Sequence, residues 1–477
     1  MERILTARQM READKYTIDN LGVSEDLLIE RAGAAVAEEI IKRFQGGRVL
    51  VCVGKGKNGA DGKIVAEILS KVHGFSVLSV NVNNGIFKAF ERKFDIIVDC
   101  IMGTGLNRPI EGKIKTAVNL INESGAYVVS CDIPTGINGD NGLVMGAAVK
   151  ANLTVAIQEY KLGHFLNDGI DYCGEVVAKD IGISIWNDDV VMRLTPKSVV
   201  EYFKPSKRNV NKGVFGKCAV IGGSLKYSGS VLLSTAALAS FKMGVGYVNM
   251  VVPKSMFNAY VGKIPEALLT PINDLDGEIV FDKDTLDSLL LYDAIAIGMG
   301  MGASKETYDT IKYLVENYEG TLLIDADGIN AISKFGDQIF DNKKCKIILT
   351  PHVKEFSRLT NFEINKVIEN PIDFTRDYAR QKGVTVVLKS AVTVLADNEE
   401  TFINTTGCAG MAKAGSGDVL SGFMLGLIAR NDDTLRTAAA SCYIFGVAGQ
   451  VAEETEGQFS MTASDIIKAL PRAIGRI

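Results

Sequence analysis

No two of the eight cysteines, at 52, 100, 131, 173, 218, 345, 408 and 442, stand in a C-x-x-C spacing, and none joins the three histidines in a metal-ligand pattern. A metal site written in cysteine and histidine is therefore excluded. Several sit inside apolar runs such as Val51-Cys52-Val53 and read as buried, reduced thiols. Basic blocks are missing as well. With a net charge of −5 and both signs spread along the chain, nothing tracks a nucleic-acid backbone or an anionic bilayer, so neither nucleic acid nor membrane is an expected partner. Apolar runs of about 18 residues do not occur without punctuation, and Met1 to Glu12 is charged throughout with no apolar core of signal-peptide length. A soluble cytoplasmic protein is the expectation.

What is present is chain enough for more than one core. At 477 residues two domains are expected. The stretch from Met411 to Gly422 stands out. Gly415 and Gly417 bracket Ser416, Asp418 follows, and Val419 to Ala429 is apolar enough for a buried helix. Glycines let backbone N–H groups converge, and a helix starting there adds about half a positive charge at its N-terminus. A phosphate or a developing oxyanion can take those first-turn amides. A carboxylate at Asp418 would repel such a ligand unless it has work of its own, such as taking a proton from an attacking hydroxyl. The plainer alternative is a glycine turn with Asp418 as N-cap.

In the first half, residues 5 to 44 carry apolar positions at threes and fours, a helical pattern. Arg48 to Val53 then reads as a buried parallel strand, followed by the loop Gly54 to Lys63 and a helical segment from Ile64. The order strand, glycine-rich loop, helix opens a doubly wound nucleotide fold. The loop is no Walker A, since five residues separate Gly56 from Gly62 and Ile64 follows Lys63. Further strands end in Asp99-Cys100-Ile101-Met102-Gly103-Thr104-Gly105-Leu106 and in Asp132-Ile133-Pro134-Thr135-Gly136. In an open α/β sheet these ends gather, so Asn58, Asp99, Asp132 and Thr135 share one crevice, suited to a cation or to acid/base work. Asp99 and Asp132 as plain caps, and His164 as a structural histidine, are the alternatives.

Glu30-Arg31-Ala32-Gly33, Lys57-Asn58-Gly59-Ala60-Asp61-Gly62, the Asp99 to Leu106 segment and Asp132 to Gly136 together resemble the NAD(P)H-hydrate epimerase domain over roughly residues 1 to 185. The resemblance implies a Rossmann-like α/β/α domain that interconverts the R and S hydrates of NADH and NADPH. It implies that Lys57, Asn58, Gly59, Ala60, Asp61, Gly103, Thr104, Gly105, Leu106, Asn107, Arg108, Pro109 and Asp132 touch the hydrate. Asn58, Asp99 and Thr135 would hold K+, with Asp132 the catalytic acid/base. Lys57 and Ala60 depart from the Asn and Gly usual there.

Residues 186 to 205 are mixed and charged and read as a linker, with the second domain starting near Ser206. Strands alternate with helices again. Cys218 to Ile221 leads to Gly222-Gly223-Ser224 and an alanine-rich helix ending near Met243. Asp293 to Ile297 leads to Gly298, and Leu322 to Ile324 leads to Asp325-Ala326-Asp327. Lys346 to Leu349 leads to Thr350-Pro351-His352, and Val384 to Leu388 leads to Lys389. This is a second three-layer α/β/α domain, with no sequence period linking it to the first. Asp325, Asp327 and His352 as caps and Lys389 as a solvated lysine are the alternatives.

Lys212-Gly213, Gly222-Gly223-Ser224, Asp325-Ala326-Asp327, Thr350-Pro351-His352, Leu388-Lys389-Ser390-Ala391 and Ala414 to Asp418 resemble, in order, the ribokinase-like NAD(P)H-hydrate dehydratase domain over residues 206 to 477. The resemblance implies ADP, or else ATP, as co-substrate for removing water from the S hydrate, with Mg2+ accompanying the nucleotide. Ser230, Gly300, His352 and Asp418 would contact the hydrate, and Lys389, Ser390, Ala391, Val392, Thr393 and Gly417 the nucleotide, with Asp418 catalytic. Met299, Met301, Ser230 and Cys408-Ala409 depart from the family's usual residues. The expected whole is a bifunctional repair enzyme acting on NADH hydrate and NADPH hydrate, and a homo-oligomer. The competing expectation is a ribokinase-superfamily small-molecule kinase whose first domain only binds.

Overall fold

The chain forms two compact units, Glu2–Val191 and Met192–Ile477, the second also holding Met1. The computed structural model describes residues 1–83, 86–186, 189–203, 208–239 and 244–477.

The first unit is built on a parallel sheet of strands in the order Phe75–Asn81, Gly47–Val53, Ile96–Cys100, Tyr127–Cys131, Leu153–Ile157 and Glu175–Lys179. Successive side chains of one strand bury into different cores, as the two-residue repeat of a strand requires. Val49, Val51 and Val53 pack with Val36, Ile40, Val65 and Leu69 from the helices Glu25–Arg43 and Lys57–Lys71. Leu50 and Cys52 pack with Ala117, Val118 and Ile121 from the helix Gly112–Glu123. Helices on both faces explain why the strands read as unbroken apolar runs. They also leave the carboxyl ends of the strands as the edge where a ligand enters.

The second unit repeats the plan at larger scale. Leu268–Ile272, Tyr247–Pro253, Lys217–Ile221, Ala294–Ile297, Thr321–Ile324, Lys346–Leu349 and Thr385–Leu388 run parallel, and Thr393–Ala396 and Thr401–Asn404 extend the sheet antiparallel. Cys218, Val220, Ala294, Ala296, Leu323 and Ile348 join the core formed with Ser228–Ala239, Ser416–Ile428, Thr434–Glu456 and Ala463–Ile474. Their neighbours Ile295, Ile297, Leu322 and Ile324 are equally buried on the other face. Between Ser228–Ala239 and Ser416–Ile428 the fit is tight: a Cβ on Gly422 would lie 1.9 Å from the Ser234 carbonyl oxygen.

The units part within the stretch read from sequence as linker. Met192 and Arg193 pair with Phe402 and Ile403, and Pro196–Val199 is helical, so residues 192–203 are folded parts of the second unit. The expected start near Ser206, and the helix end expected near Met243, lie outside the described residues. Among the described residues no helix is long and apolar enough to cross a membrane. All eight cysteines are free thiols, buried except for half-buried Cys408.

Candidate functional site

In the first unit the chain leaves Gly47–Val53 through Gly54-Lys55-Gly56 and enters the helix Lys57–Lys71 at once. Only glycine permits the fold-back, because a Cβ on Gly59 would lie 2.2 Å from the Gly54 carbonyl oxygen. A cavity of about 640 Å³ opens at this edge, a size that suits a small-molecule ligand. Of the residues expected at the hydrate, Lys57, Asn58, Asp61, Gly103, Thr104, Gly105, Leu106, Arg108 and Asp132 line it. Gly59, Ala60, Asn107 and Pro109 do not.

Asp132 sits at the end of the strand Tyr127–Cys131 with φ 68, a left-handed conformation that a non-glycine residue adopts under constraint. Several bonds hold it there. Its N–H donates to the Val155 carbonyl at 2.8 Å, and its own carbonyl meets His164 Nε2 at 2.7 Å. His164 Nδ1 accepts the Lys161 N–H at 3.1 Å, so the histidine is a positioning element, as its structural alternative supposed. The Asp132 carboxylate pairs with the ammonium of Lys161, whose side chain is 1% exposed. Lys161 also donates to the Ile157 carbonyl at 2.7 Å. Nearby, burial and then the charge of Asp132 push the Asp61 carboxyl up to about 7. The crevice thus holds one carboxylate with a cation and one carboxyl poised near neutrality.

Beside them lies an all-oxygen group. Asp99 is fully enclosed. It accepts bonds from Ser130 Oγ at 3.0 Å, Thr135 N at 2.8 Å, Thr135 Oγ1 at 2.7 Å and Ile101 N at 3.3 Å. Burial raises its pKa despite those donors. Asn58 Nδ2 donates to the Cys131 carbonyl at 2.9 Å, while Asn58 Oδ1 is buried with no partner. An orphaned buried acceptor near an enclosed carboxylate and a hydroxyl is what a hard monovalent cation would satisfy, so these residues fit the potassium expected from sequence.

In the second unit the helix Ser416–Ile428 starts after Gly415, at φ 91, with no side-chain cap. Asp418 is the third residue of its first turn, so it is not the N-cap of the plainer alternative. Its carboxyl is pushed up to about 6, by burial and then by the charge of Asp325, against a hydrogen bond from Ser230 and the charge of Lys389. Ser230 stands in the first turn of Ser228–Ala239. Gly300, at φ 71, packs so closely that a Cβ would meet Tyr227 O at 2.8 Å and Ser230 Cβ at 3.1 Å. Lys389, at the end of Thr385–Leu388, pairs with Asp325 at 2.8 Å and comes within 3.2 Å of where a Cβ on Gly417 would sit. It is not the solvated lysine of the alternative. Ser390, Ala391, Val392 and Thr393 continue that loop into the next strand, with Ser390 and Ala391 exposed.

His352 is the N-cap of Val353–Thr360. Its Nδ1 accepts the N–H groups of Lys354 at 3.1 Å and Glu355 at 3.2 Å, and Glu355 Oε2 accepts the His352 N–H at 2.9 Å. The capping alternative is therefore the observed local role, and the imidazole stays half exposed at the strand edge. Asp325 and Asp327 are not helix caps: the N-cap of Asp327–Phe335 is Ala326, with no side-chain bond. Sequence reasoning passed over Lys161, Ser421 and Glu355. Ser421 Oγ donates to Asp325 Oδ2 at 2.6 Å. Lys161 ends the two-residue strand Tyr160–Lys161, and no local sequence pattern marks it.

Two parallel-sheet α/β/α units, each gathering a carboxylate, a lysine and glycine turns at its strand ends, define a two-domain α/β enzyme. A family model described as NAD(P)H-hydrate dehydratase matches residues 218–472, and one described as YjeF-related protein N-terminus matches 25–86 and 80–163. Proteins named bifunctional NAD(P)H-hydrate repair enzyme Nnr match nearly end to end. The one from Archaeoglobus fulgidus is 32% identical over 99% of this chain and 98% of its own length. That from Thermofilum pendens is 30% identical over 99% and 96%. The chain belongs to the family of bifunctional NAD(P)H-hydrate repair enzymes. For the second unit the fold is shared with an ADP/ATP-dependent NAD(P)H-hydrate dehydratase of Bacillus subtilis co-crystallised with ATP/Mg2+ (TM-score 0.53, 23% identity, 60% of this chain and 98% of that one). It is also shared with a ribokinase-like superfamily protein of Enterococcus faecalis (TM-score 0.52, 24%, 61% and 98%).

Proposed function

We propose that the first unit interconverts the R and S hydrates of NADH and NADPH, and that the second removes water from the S form with ADP, releasing AMP and phosphate. The observation that carries this is Asp418, half-buried in the first turn of a helix with no side-chain cap, with its carboxyl raised by burial and by the charge of Asp325, itself paired with Lys389.

Hydroxide is a poor leaving group and phosphate a good one. In the second unit Asp418 takes the proton of the hydrate's hydroxyl while its oxygen attacks the terminal phosphorus of the nucleotide. The amides of residues 415 to 417 stabilise charge on the phosphoryl group in transfer, where one preorganised donor is worth about 2.7 to 4 kcal/mol of barrier. Lys389 to Thr393 and Gly417 hold the nucleotide, and Ser230, Gly300 and His352 the hydrate. Mg2+ would accompany the nucleotide phosphates.

In the first unit Asp132 is the acid/base at the hydroxyl-bearing carbon, and its ion pair with Lys161 holds it in place. Asn58, Asp99 and Thr135 would hold K+, which when bound supplies a fixed positive charge beside the enclosed carboxylate. Lys57, paired with Asp14 at 2.9 Å and Glu25 at 2.7 Å, stands at the cavity wall. The same reading places the protein in the cytoplasm as a homo-oligomer, and eight free thiols suit a reducing compartment.

The test is product analysis with purified S hydrate and ADP, then ATP. Restored dihydronicotinamide absorbance with one AMP released per turnover from ADP, or one ADP from ATP, supports the reading. A stable phosphate ester would make the second unit a small-molecule kinase.

A further inference from the structure

Dehydration of the hydrate breaks two bonds. The C–O bond is on the ring carbon attached to nitrogen, and the C–H bond is on the carbon next to it. Phosphorylation accounts for the first: the hydroxyl proton goes to Asp418, and the ring nitrogen's lone pair then expels phosphate and leaves an iminium. The second bond needs its own base. Taking that proton returns the C–H electron pair as the ring double bond and neutralises the nitrogen. Asp418 has already taken one proton in the cycle.

Four further titratable groups lie about Asp418 and Lys389, the lysine being paired with Asp325. Asp325 is enclosed, with Oδ1 bonded to Lys389 Nζ and the Ala326 N–H, both at 2.8 Å, and Oδ2 to Ser421 Oγ at 2.6 Å. Glu355 is buried and committed to the His352 N–H at 2.9 Å, with Oε1 3.5 Å from His352 Nε2. His352 accepts two backbone N–H groups at Nδ1, so the proton of its neutral ring is on Nε2, a donor toward a ligand and not an acceptor.

Asp327 differs from all three. It is half-buried, and one oxygen, Oδ2, is anchored by the Gly302 N–H at 2.9 Å. The residue before it, Ala326, is held at φ 50 and ψ −116, a backbone conformation that costs energy for a residue with a Cβ and that sets the direction in which Asp327 leaves the strand end. Gly302 closes the same turn as Gly300, Gly300 packs against Ser230, and Asp327 is near enough to Asp418 for its charge to act on that carboxyl. The turn 298 to 302 therefore brings Asp327, through Gly302, and Ser230, through Gly300, to the same strand-end edge.

We infer that Asp327 is the second catalytic base of the dehydratase, removing the ring C–H proton after phosphate has left. The inference rests on the dehydratase reading. Without that base the iminium lives long enough for water to add back, which regenerates the hydrate and consumes nucleotide without product.

The experiment compares the full-length wild type, Asp327→Asn, Asp327→Glu and Asp418→Asn on S hydrate with ADP and with ATP. Protonated substrate and substrate deuterated at the carbon that loses its hydrogen are both used, following absorbance together with the spent nucleotide, AMP from ADP and ADP from ATP. Asp327→Asn is expected to form AMP within threefold of the wild-type rate yet recover absorbance at least about a hundredfold more slowly. Its AMP-to-product ratio should rise well above one, with a deuterium effect larger than wild type's. Asp327→Glu should regain part of the coupling, and Asp418→Asn should lose AMP and absorbance together. Wild-type absorbance recovery in Asp327→Asn overturns the inference, as does a parallel loss of AMP and absorbance in that variant. A wild-type chain that restores no absorbance with either nucleotide would remove the dehydratase reading and the inference with it.

Discussion

Lys389 Nζ lies 2.8 Å from Asp325 Oδ1 and 3.2 Å from the place a side chain on residue 417 would begin. One ammonium therefore ties a strand end to the first turn of the helix that carries Asp418. Gly417→Ala should push that ammonium aside and crowd the nucleotide's terminal phosphate. The expected outcome is a KM for ADP raised at least about tenfold, with little change in Tm, read by initial rates and calorimetry on the same preparation.

Removing the ammonium tests the same pair from the other side. Lys389→Met leaves the enclosed Asp325 carboxylate without its cation, and breaking a buried pair by deleting one partner costs roughly 3 to 5 kcal/mol. Urea unfolding of the second unit's transition should report a loss of that order, together with loss of dehydratase turnover.

Asp418 acts as a base only when ionised, and burial beside Asp325 holds its carboxyl up at about 6. Dehydratase kcat/KM should therefore fall as pH drops through about 6 and level off above it. Asp418→Asn should flatten the profile at a rate at least about a hundredfold lower. A profile with no inflection between pH 5 and 7 would count against the assignment.

Each unit has its own core, with Asp132 in the first and Asp418 in the second. Asp132→Asn, and separately Lys161→Met, should abolish exchange of R and S hydrates while dehydration of pure S hydrate proceeds unchanged. Chiral analysis of the remaining hydrate would then show R left behind when a mixture is supplied.

How much of this was legible in sequence follows from what each element asks of its residues. Buried parallel strands such as Gly47–Val53 and Leu153–Ile157 must be apolar on both faces, and they announce themselves. Phe75–Asn81 is an edge strand, only half buried, and its alternation with polar residues hid it. Glycine turns at residues 54 to 59 and 415 to 417 were visible because close backbone approach leaves no alternative residue. Lys161 was not, because its role depends on a partner 29 residues away and on burial that no local pattern encodes. The fold of the stretch around the boundary was hidden for a related reason. Residues 192 to 203 are charged enough to read as linker, yet Met192 and Arg193 complete the second unit's sheet.

The potassium reading is open to a direct check. Asn58→Leu removes the buried unpartnered oxygen, so epimerase activity measured in K+ against choline should lose its salt dependence. Dehydration of pure S hydrate by that variant should match wild type.

The most direct measurement supplies the full-length chain with an equal mixture of R and S NADH hydrates and ADP, and follows absorbance to completion. Two working sites predict recovery of all the dihydronicotinamide, about half of it at the rate of dehydration and the rest as R is converted to S. No recovery with either ADP or ATP, or accumulation of a phosphorylated hydrate, would contradict the account.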